Sequence, residues 1–344
     1  MKKILFVSSI FLISVSTILI SNTYLHNSKN NLKALDTSKI NTITFPELAG
    51  EIPDKVNFKI DKASAAINKL NDSQYTKTLS KVIKVKDAED ISKRKEKLKE
   101  IFDIAKTTQE NKDQQNNLSS FRDSNKKLDV YNDGIFTYNL DTDNNSKENL
   151  LGDDKIRKLA SDFLSKNNLI SSDYYFDAVQ YETVTPTSDP DKSIVLRKFV
   201  NFTRKINGQP VYGYSKISVG INAVGEISNV YYLGRDLADS SDVEIKDFDK
   251  AFTDLNEQNG LVKMESDTKD VEIKNVELAY WEDSTPNSTQ NYIQPVYRFT
   301  GDAINGKGDR SEFVAIIRAI SENKTSTVNP KSSNLESTPK IPKN

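Results

Sequence analysis

The most constraining feature of this sequence is a pattern that occurs twice in its second half, a helical repeat followed by alternating strands. The predicted helix and strands of the first unit are, in order, 153–167, 174–183, 194–206, 211–222 and 226–233. Those of the second unit are 244–259, 271–282, 293–299 and 311–320. Two consecutive units of this kind predict an α+β fold, in which each antiparallel sheet packs one face against its helix.

Short turn sequences separate the predicted strands. Asn207-Gly208-Gln209-Pro210 and Ala223-Val224-Gly225 contain the residue types that tight turns require. In the first half, Asn132-Asp133-Gly134 stands between two apolar runs. Because Asp-Gly supplies the positive φ of a tight turn, this segment predicts a β-hairpin.

The first half is otherwise predicted to be mainly helical. Apolar residues recur at helical spacing in residues 59–118, first around Ala63, Ala66 and Ile67 and later around Leu98 and Ile101. The spacing predicts two helices, followed by a Gln- and Asn-rich loop at 109–117. Residues 59–150 are therefore interpreted as a helical lead-in that ends in a hairpin.

The N-terminus is interpreted as an export signal. Lys2 and Lys3 precede residues 4–20, which carry no charge. No small-residue cleavage site follows this run, which favours a retained membrane anchor with the folded part outside the cell membrane. The alternative is a signal peptide that is cleaved, so that the chain is secreted.

Polar segments complete the predicted organisation. The tail is rich in Ser, Pro, Lys and Asn and is expected to be disordered. The predicted segments are a signal anchor or signal peptide at 1–25, a polar stalk at 26–58, the helical region at 59–150, the two units at 151–240 and 241–322, and the tail at 323–344.

Composition excludes several kinds of site. The chain has no cysteine and a single histidine, His26, which lies next to the apolar N-terminus. A Ser-His-Asp triad, a thiol nucleophile and a His- or Cys-based metal site are therefore excluded from the folded part. Asp141 begins a calcium-like loop, but Ser146 stands where glycine is needed and Gly152 where a glutamate should be. No catalytic residue, metal or cofactor is predicted.

The net charge of -1 gives no electrostatic preference for nucleic acid, so none is expected as a partner. A hydrolase that uses carboxylates alone is not excluded by composition. No pair of acidic residues stands out for such a role, and the sequence therefore predicts a protein that is not an enzyme.

Two segments carry a family resemblance. The run from Phe199 to Gly213, with its Gly208-Gln209-Pro210-Val211 turn, resembles the propeptide of thermolysin-type metalloproteases. The second unit, with Val276 to Trp281 and Gln294 to Phe299, resembles the PepSY domain. That domain occurs in those propeptides and in membrane-anchored bacterial regulators of the Yyc kind, which control an envelope sensor kinase. No His-Glu-x-x-His motif follows, so no protease domain is expected.

The resemblance implies two PepSY-like units and a regulatory function. The expected function is a noncatalytic, membrane-anchored extracellular module that binds and regulates a protein partner, either a sensor kinase or a secreted metalloprotease. A propeptide-like sheet can bind through a strand edge, because main-chain hydrogen bonds give affinity without catalytic residues. The alternative is a structural protein of the envelope or of a surface assembly.

Aromatic residues in the predicted strands suggest where a partner binds. Sheet packing explains most of them, but Tyr and Trp are also enriched where partners dock. Tyr212 and Tyr214 lie on one face of their strand, and Trp281 follows Tyr280 in the second unit. Tyr212, Tyr214 and Trp281 are the predicted partner-binding residues.

Overall fold

The structure of the chain is a computed structural model. It describes residues 40, 43, 53, 55–61, 79–85, 91–141, 150–184, 194–213, 215–283 and 290–321.

Three helices and sixteen strands make up the described part. The helices are α1 Ile91–Ile101, α2 Asp153–Lys166 and α3 Phe248–Asn256. The strands are β1 Asn57–Ile60, β2 Leu79–Val85, β3 Glu110–Asp113, β4 Leu118–Asp123, β5 Lys126–Tyr131, β6 Phe136–Leu140, β7 Tyr174–Val184, β8 Ile194–Ile206, β9 Gln209–Gly213, β10 Lys216–Ile221, β11 Ile227–Tyr232, β12 Leu237–Glu244, β13 Leu261–Lys263, β14 Thr268–Glu282, β15 Tyr292–Asn305 and β16 Arg310–Arg318.

Hydrogen bonds connect these strands into one mixed sheet. The main path runs β12-β2-β15-β14-β9-β8-β10-β11-β6-β5-β4-β3, and β1, β7, β13 and β16 pair beside it. Most pairs are antiparallel, but β1 and β9 each pair with β14 in parallel. Strand β9 also forms a hairpin with β8, and it therefore joins the two halves of the sheet.

The α+β prediction, with a helical lead-in and two separate sheets, is wrong. The described part of the chain is mostly β, with 55% of its residues in strands and 15% in helices. Region 59–150 contributes β2 to β6 and a single described helix, and the Gln- and Asn-rich segment predicted as a loop contains β3. The predicted strand 211–222 divides in two, and its first part turns to pair with β14, which merges the expected units into one sheet.

Several local predictions are confirmed. The helix predicted at 153–167 is α2, and the Asp133-Gly134 turn joins the antiparallel pair β5 and β6. The turn between β8 and β9 has φ values of 52° at Asn207 and 80° at Gly208, as a tight hairpin of this type requires.

Two apolar clusters hold the helices against the sheet. In the first, Ile156, Ala160 and Leu164 of α2 pack with the apolar side chains of β5, β6, β8, β10 and β11. In the second, Ala251 and Leu255 of α3 pack with those of β14, β15 and β16. The helices lie on the sheet through side chains at helical spacing, as their sequences predict.

The single-pass membrane location is corrected. The anchor predicted at 1–25 lies outside the described residues. Among the residues that the structure describes, no helix is long and apolar enough to span a membrane.

An ion pair between α1 and edge strand β3 predicts a dependence on pH. Partial burial would raise the pKa of Glu110, but hydrogen bonds from Lys95 and Ser119 outweigh it and lower that pKa to about 2. Because the folded pKa is below the ordinary value of 4.5, this carboxylate stabilises the fold above pH 4.5. That contribution is lost as the pH falls from 4.5 towards 2. We expect Lys95→Ala to move the pKa of Glu110 upwards in an NMR titration, and an unchanged pKa would contradict the assignment.

Candidate functional site

The predicted aromatic residues are only partly exposed. Tyr212 in β9 is half-buried, Trp281 in β14 is 4% exposed, and Tyr214 lies outside the described residues. Tyr212 and Trp281 are direct partners in the parallel β9–β14 pair, so the structure brings these two together on one face. Trp281 packs there with Ile43 and Val296.

Tyr212 is held by a charged pair. Its hydroxyl donates a hydrogen bond to Glu277 Oε1 at 2.7 Å, and the Arg298 guanidinium lies over its ring and contacts the same oxygen at 3.0 Å. Burial, together with the hydrogen bond to Glu277, raises the pKa of the Tyr212 hydroxyl. This region is a packed junction between the halves of the sheet, and partner binding by Tyr212, Tyr214 and Trp281 stays a prediction.

The edges of the sheet offer a second kind of site. Among the described strands, β1, β3, β7, β12 and β13 each pair on one side only. Strand β7 is the longest of them, with 11 residues, whereas the others have 3 to 8. An edge strand exposes unpaired backbone N–H and C=O groups to which another chain can bind.

Strand β7 has features that favour and features that limit such pairing. Its register with β8 shifts at Phe176/Ala178 and at Glu182/Thr183, and Asp177 is the extra residue of the first bulge. Bulges and charges are common protections of an edge. Between these irregularities, Ala178, Val179, Gln180 and Tyr181 form a regular and uncharged segment.

Tyr181 is the most distinctive side chain of this segment. It is 50% exposed, and among the described residues only Val224 is another exposed large hydrophobic residue. The Tyr181 hydroxyl donates to Asp153 Oδ2 at 2.6 Å, and Lys198 binds the other oxygen of Asp153 at 2.7 Å. Hydrogen bonds from Lys198 and Tyr181 lower the pKa of Asp153. The start of α2 thus orients this ring at the sheet edge.

A buried charged cluster lies where the two halves of the sheet meet. Glu282 at the end of β14 is 0% exposed and binds Arg204 Nη1 at 3.1 Å. Its other oxygen accepts the backbone N–H of Arg235 at 3.1 Å, and both arginine side chains are 3% exposed. Arg204 Nε also contacts Asp173 at 2.7 Å. Because this cluster is closed to solvent, its role is to join β8, the segment after β11 and the end of β14.

No cluster of metal-ligating side chains occurs among the described residues. The sequence missed both the edge segment with Tyr181 and the charged cluster. Strand β7 was predicted from its alternation, but its place at an edge depends on pairings that a single sequence does not report.

The fold and the site together define a mostly-β chain with one mixed sheet and a long edge strand. No protein-family model matches the chain. No curated protein matches it either.

Several solved structures are similar to the chain. One is an uncharacterized protein from Eubacterium rectale ATCC 33656, with 12% identity, coverage of 77% of this chain and 88% of that chain, and a TM-score of 0.36. Another is the Bacillus megaterium YpeB C-terminal domain, with 11% identity, coverage of 69% and 100%, and a TM-score of 0.28. YpeB is a PepSY-containing protein. At these TM-scores the proposed function rests on neither structure.

Proposed function

We propose that this chain is a noncatalytic module that binds and regulates a protein partner by accepting an extended segment of that partner along β7. The observation that supports this function is the unpaired outer side of β7 among the described strands. A strand that adds there gains main-chain hydrogen bonds, and side-chain contacts on alternate residues give it specificity.

Strand β7 is a better acceptor than the other edges. Strand β3 is short, exposed and largely charged, which are features of a protected edge. Strand β12 carries Asp239, Asp242 and Glu244 and has an irregular register with β2. The uncharged segment from Ala178 to Tyr181 has neither disadvantage.

Side chains beside this segment add a contact for the partner. Tyr181 is an amphipathic aromatic residue at the edge. Its hydroxyl is already bound to Asp153, which Lys198 also binds, so the Tyr181 side chain loses little rotamer freedom when a partner binds. Aromatic residues such as tyrosine contribute a large share of the binding energy at many protein interfaces. By the resemblance of the sequence, the partner belongs to the sensor kinases or the secreted metalloproteases.

Site-specific crosslinking in cells tests this function. A photo-reactive residue at Thr183, which is exposed on β7 next to the uncharged segment, should capture one protein in stoichiometric yield. The matched control is the same residue at Gln115, which is exposed in the turn between β3 and β4, at the other end of the sheet. Equal capture from both positions, or capture from Gln115 alone, would contradict the proposal.

Truncation of Tyr181 should weaken the captured complex. We expect Tyr181→Ala to raise the dissociation constant by about fivefold or more, since truncated hot-spot residues cost more than about 1 kcal/mol. Gln115→Ala, in the turn between β3 and β4, should leave the dissociation constant unchanged. Isothermal titration calorimetry with the purified partner measures both dissociation constants. Equal affinities of the Tyr181→Ala and unsubstituted chains would show that Tyr181 does not contribute to the interface.

A further inference from the structure

The sheet in the first half of the chain has a second face, opposite the one that packs against α1 and α2. Cross-strand partners place one row of side chains across this face from β5 to β7. The row consists of Asp129, Thr137, Tyr231, Ser218, Asn201 and Ala178. Its members alternate along each strand with the apolar residues of the core, so they point away from the helices. The row next to it consists of Lys127, Asn139, Asn229, Gly220, Phe199 and Gln180. We call these two rows the polar face.

Polar groups of this face are buried, although they lie outside the apolar core. Ser218 and Asn201 are each 6% exposed, and Asn229 in the neighbouring row is 3% exposed. The Asn229 side chain donates to Asn139 Oδ1 at 2.6 Å and accepts a hydrogen bond from Arg197. Side-chain amides and hydroxyls both donate and accept hydrogen bonds, so the face can bind groups of either kind.

The charges on the polar face and beside it are already paired. Arg197 Nε contacts Glu182 Oε2 at 2.5 Å, and Lys127 Nζ contacts Asp129 Oδ2 at 2.6 Å. An ionic ligand would therefore have to compete with existing ion pairs, whereas an uncharged one would not. Asp129 is 8% exposed, and its second oxygen is closed to solvent, so its carboxylate is not part of the surface that a ligand meets.

Two aromatic rings lie within the polar face. The Phe199 and Tyr231 ring centroids are 6.1 Å apart, and both side chains are half-buried. The Phe199 ring lies against Gly220, where an added Cβ would come within 2.8 Å of it. Gly220 thus lets the Phe199 ring lie low across the sheet. The result is an apolar surface surrounded by amide and hydroxyl groups.

We propose that the polar face binds a neutral oligosaccharide. Sugar hydroxyls can pair with the amides of Asn139 and Asn201, and the C–H faces of a sugar ring can stack on Tyr231 and Phe199. The paired charges favour an uncharged ligand over a nucleic acid or an anionic polymer. Five strand spacings from β5 to β7 span about 24 Å, which is enough for a short oligosaccharide.

The polar face reaches the side chains of Ala178 and Gln180 in β7, but the proposed function uses the main-chain edge of that strand and the Tyr181 side chain. Tyr231 is on the polar face, whereas Tyr181 contacts Asp153 at the start of α2, on the helix side of the sheet. Tyr231→Ala should therefore affect the oligosaccharide and spare the protein partner, and Tyr181→Ala should do the opposite. Failure of one proposal is distinguishable from failure of the other.

Saturation-transfer NMR with the full chain tests the inference. The probes are cellotetraose, maltotetraose and chitotetraose, and a sulfated heparin tetrasaccharide is the anionic comparison. We expect saturation transfer to at least one neutral probe. Tyr231→Ala should weaken its binding about tenfold, whereas Tyr231→Phe, which keeps the ring, and Tyr181→Ala should not. A thermal melt confirms that each variant is folded.

Three results would overturn the inference. The first is the absence of transfer to every neutral probe, and the second is stronger binding of the heparin tetrasaccharide. The third is a protein partner that crosslinks to a photo-reactive residue at Thr137 on the polar face, because the face would then belong to a protein interface.

Discussion

Replacing Glu282 with glutamine is expected to lower the free energy of unfolding by about 3–5 kcal/mol, which is the cost of removing one partner from a buried ion pair. Glu282 is fully buried and contacts both Arg204 and Arg235. Glutamine has nearly the same shape, so the substitution removes the charge and leaves the volume unchanged. Arg204 keeps its contact with Asp173, but Arg235 is left with backbone and amide acceptors alone.

Urea unfolding of the two chains measures this difference. The matched control is Asp242→Asn, which removes the charge from a half-exposed pair with Lys81. A pair of that kind contributes about 0–1 kcal/mol. If Glu282→Gln cost no more than this control, the buried cluster would not stabilise the junction between the halves of the sheet.

Replacing Gly213 with alanine is expected to have the second large effect. Gly213 ends β9 with a φ of +101°, and an added Cβ would lie 2.1 Å from the carbonyl oxygen of Glu282 in the parallel partner β14. Backbone has to move to relieve this overlap, because a carbonyl oxygen in a β-ladder cannot rotate away. Backbone strain and overpacking each cost about 1–3 kcal/mol, so we expect a loss of about 2–6 kcal/mol in the free energy of unfolding.

Gly208→Ala separates the steric effect from the backbone effect. Gly208 also has a positive φ, of +80°, but nothing lies within 4 Å of an added Cβ. Gly208→Ala should therefore lower the free energy of unfolding by about 1–2 kcal/mol, which is the penalty of a left-handed backbone conformation alone. Equal losses for the two variants in urea unfolding would show that contact with β14 does not constrain Gly213.

Local parts of the fold could be predicted from the sequence, because their signals are short-range. Helix α2 follows from apolar residues at helical spacing behind Asp153 and Asp154, and the hairpin turns follow from Asp133-Gly134 and Asn207-Gly208. Strand β12 could not be predicted in this way. Its sequence from Leu237 to Glu244 is mostly Ser and acidic residues, and it is held by its pairing with β2.

The single sheet could not be predicted, because its decisive pairings are distant in sequence. Strand β1 pairs with β14 at Asn57 and Asp270, and β9 pairs with β14 at Tyr212 and Trp281. Periodicity reports which residues face a core, but it does not report which strands are neighbours. The same limit applies to the candidate site, since the importance of Tyr181 depends on the edge position of β7.

Hydrogen exchange of the crosslinked partner complex tests the central claim most directly. Every second residue of an edge strand directs its backbone groups outward, and those amides exchange readily until another strand binds them. The account predicts that partner binding slows exchange within β7, mainly from Ala178 to Tyr181, and leaves β3 unchanged. Unchanged exchange in β7, with new protection confined to another part of the chain, would contradict it.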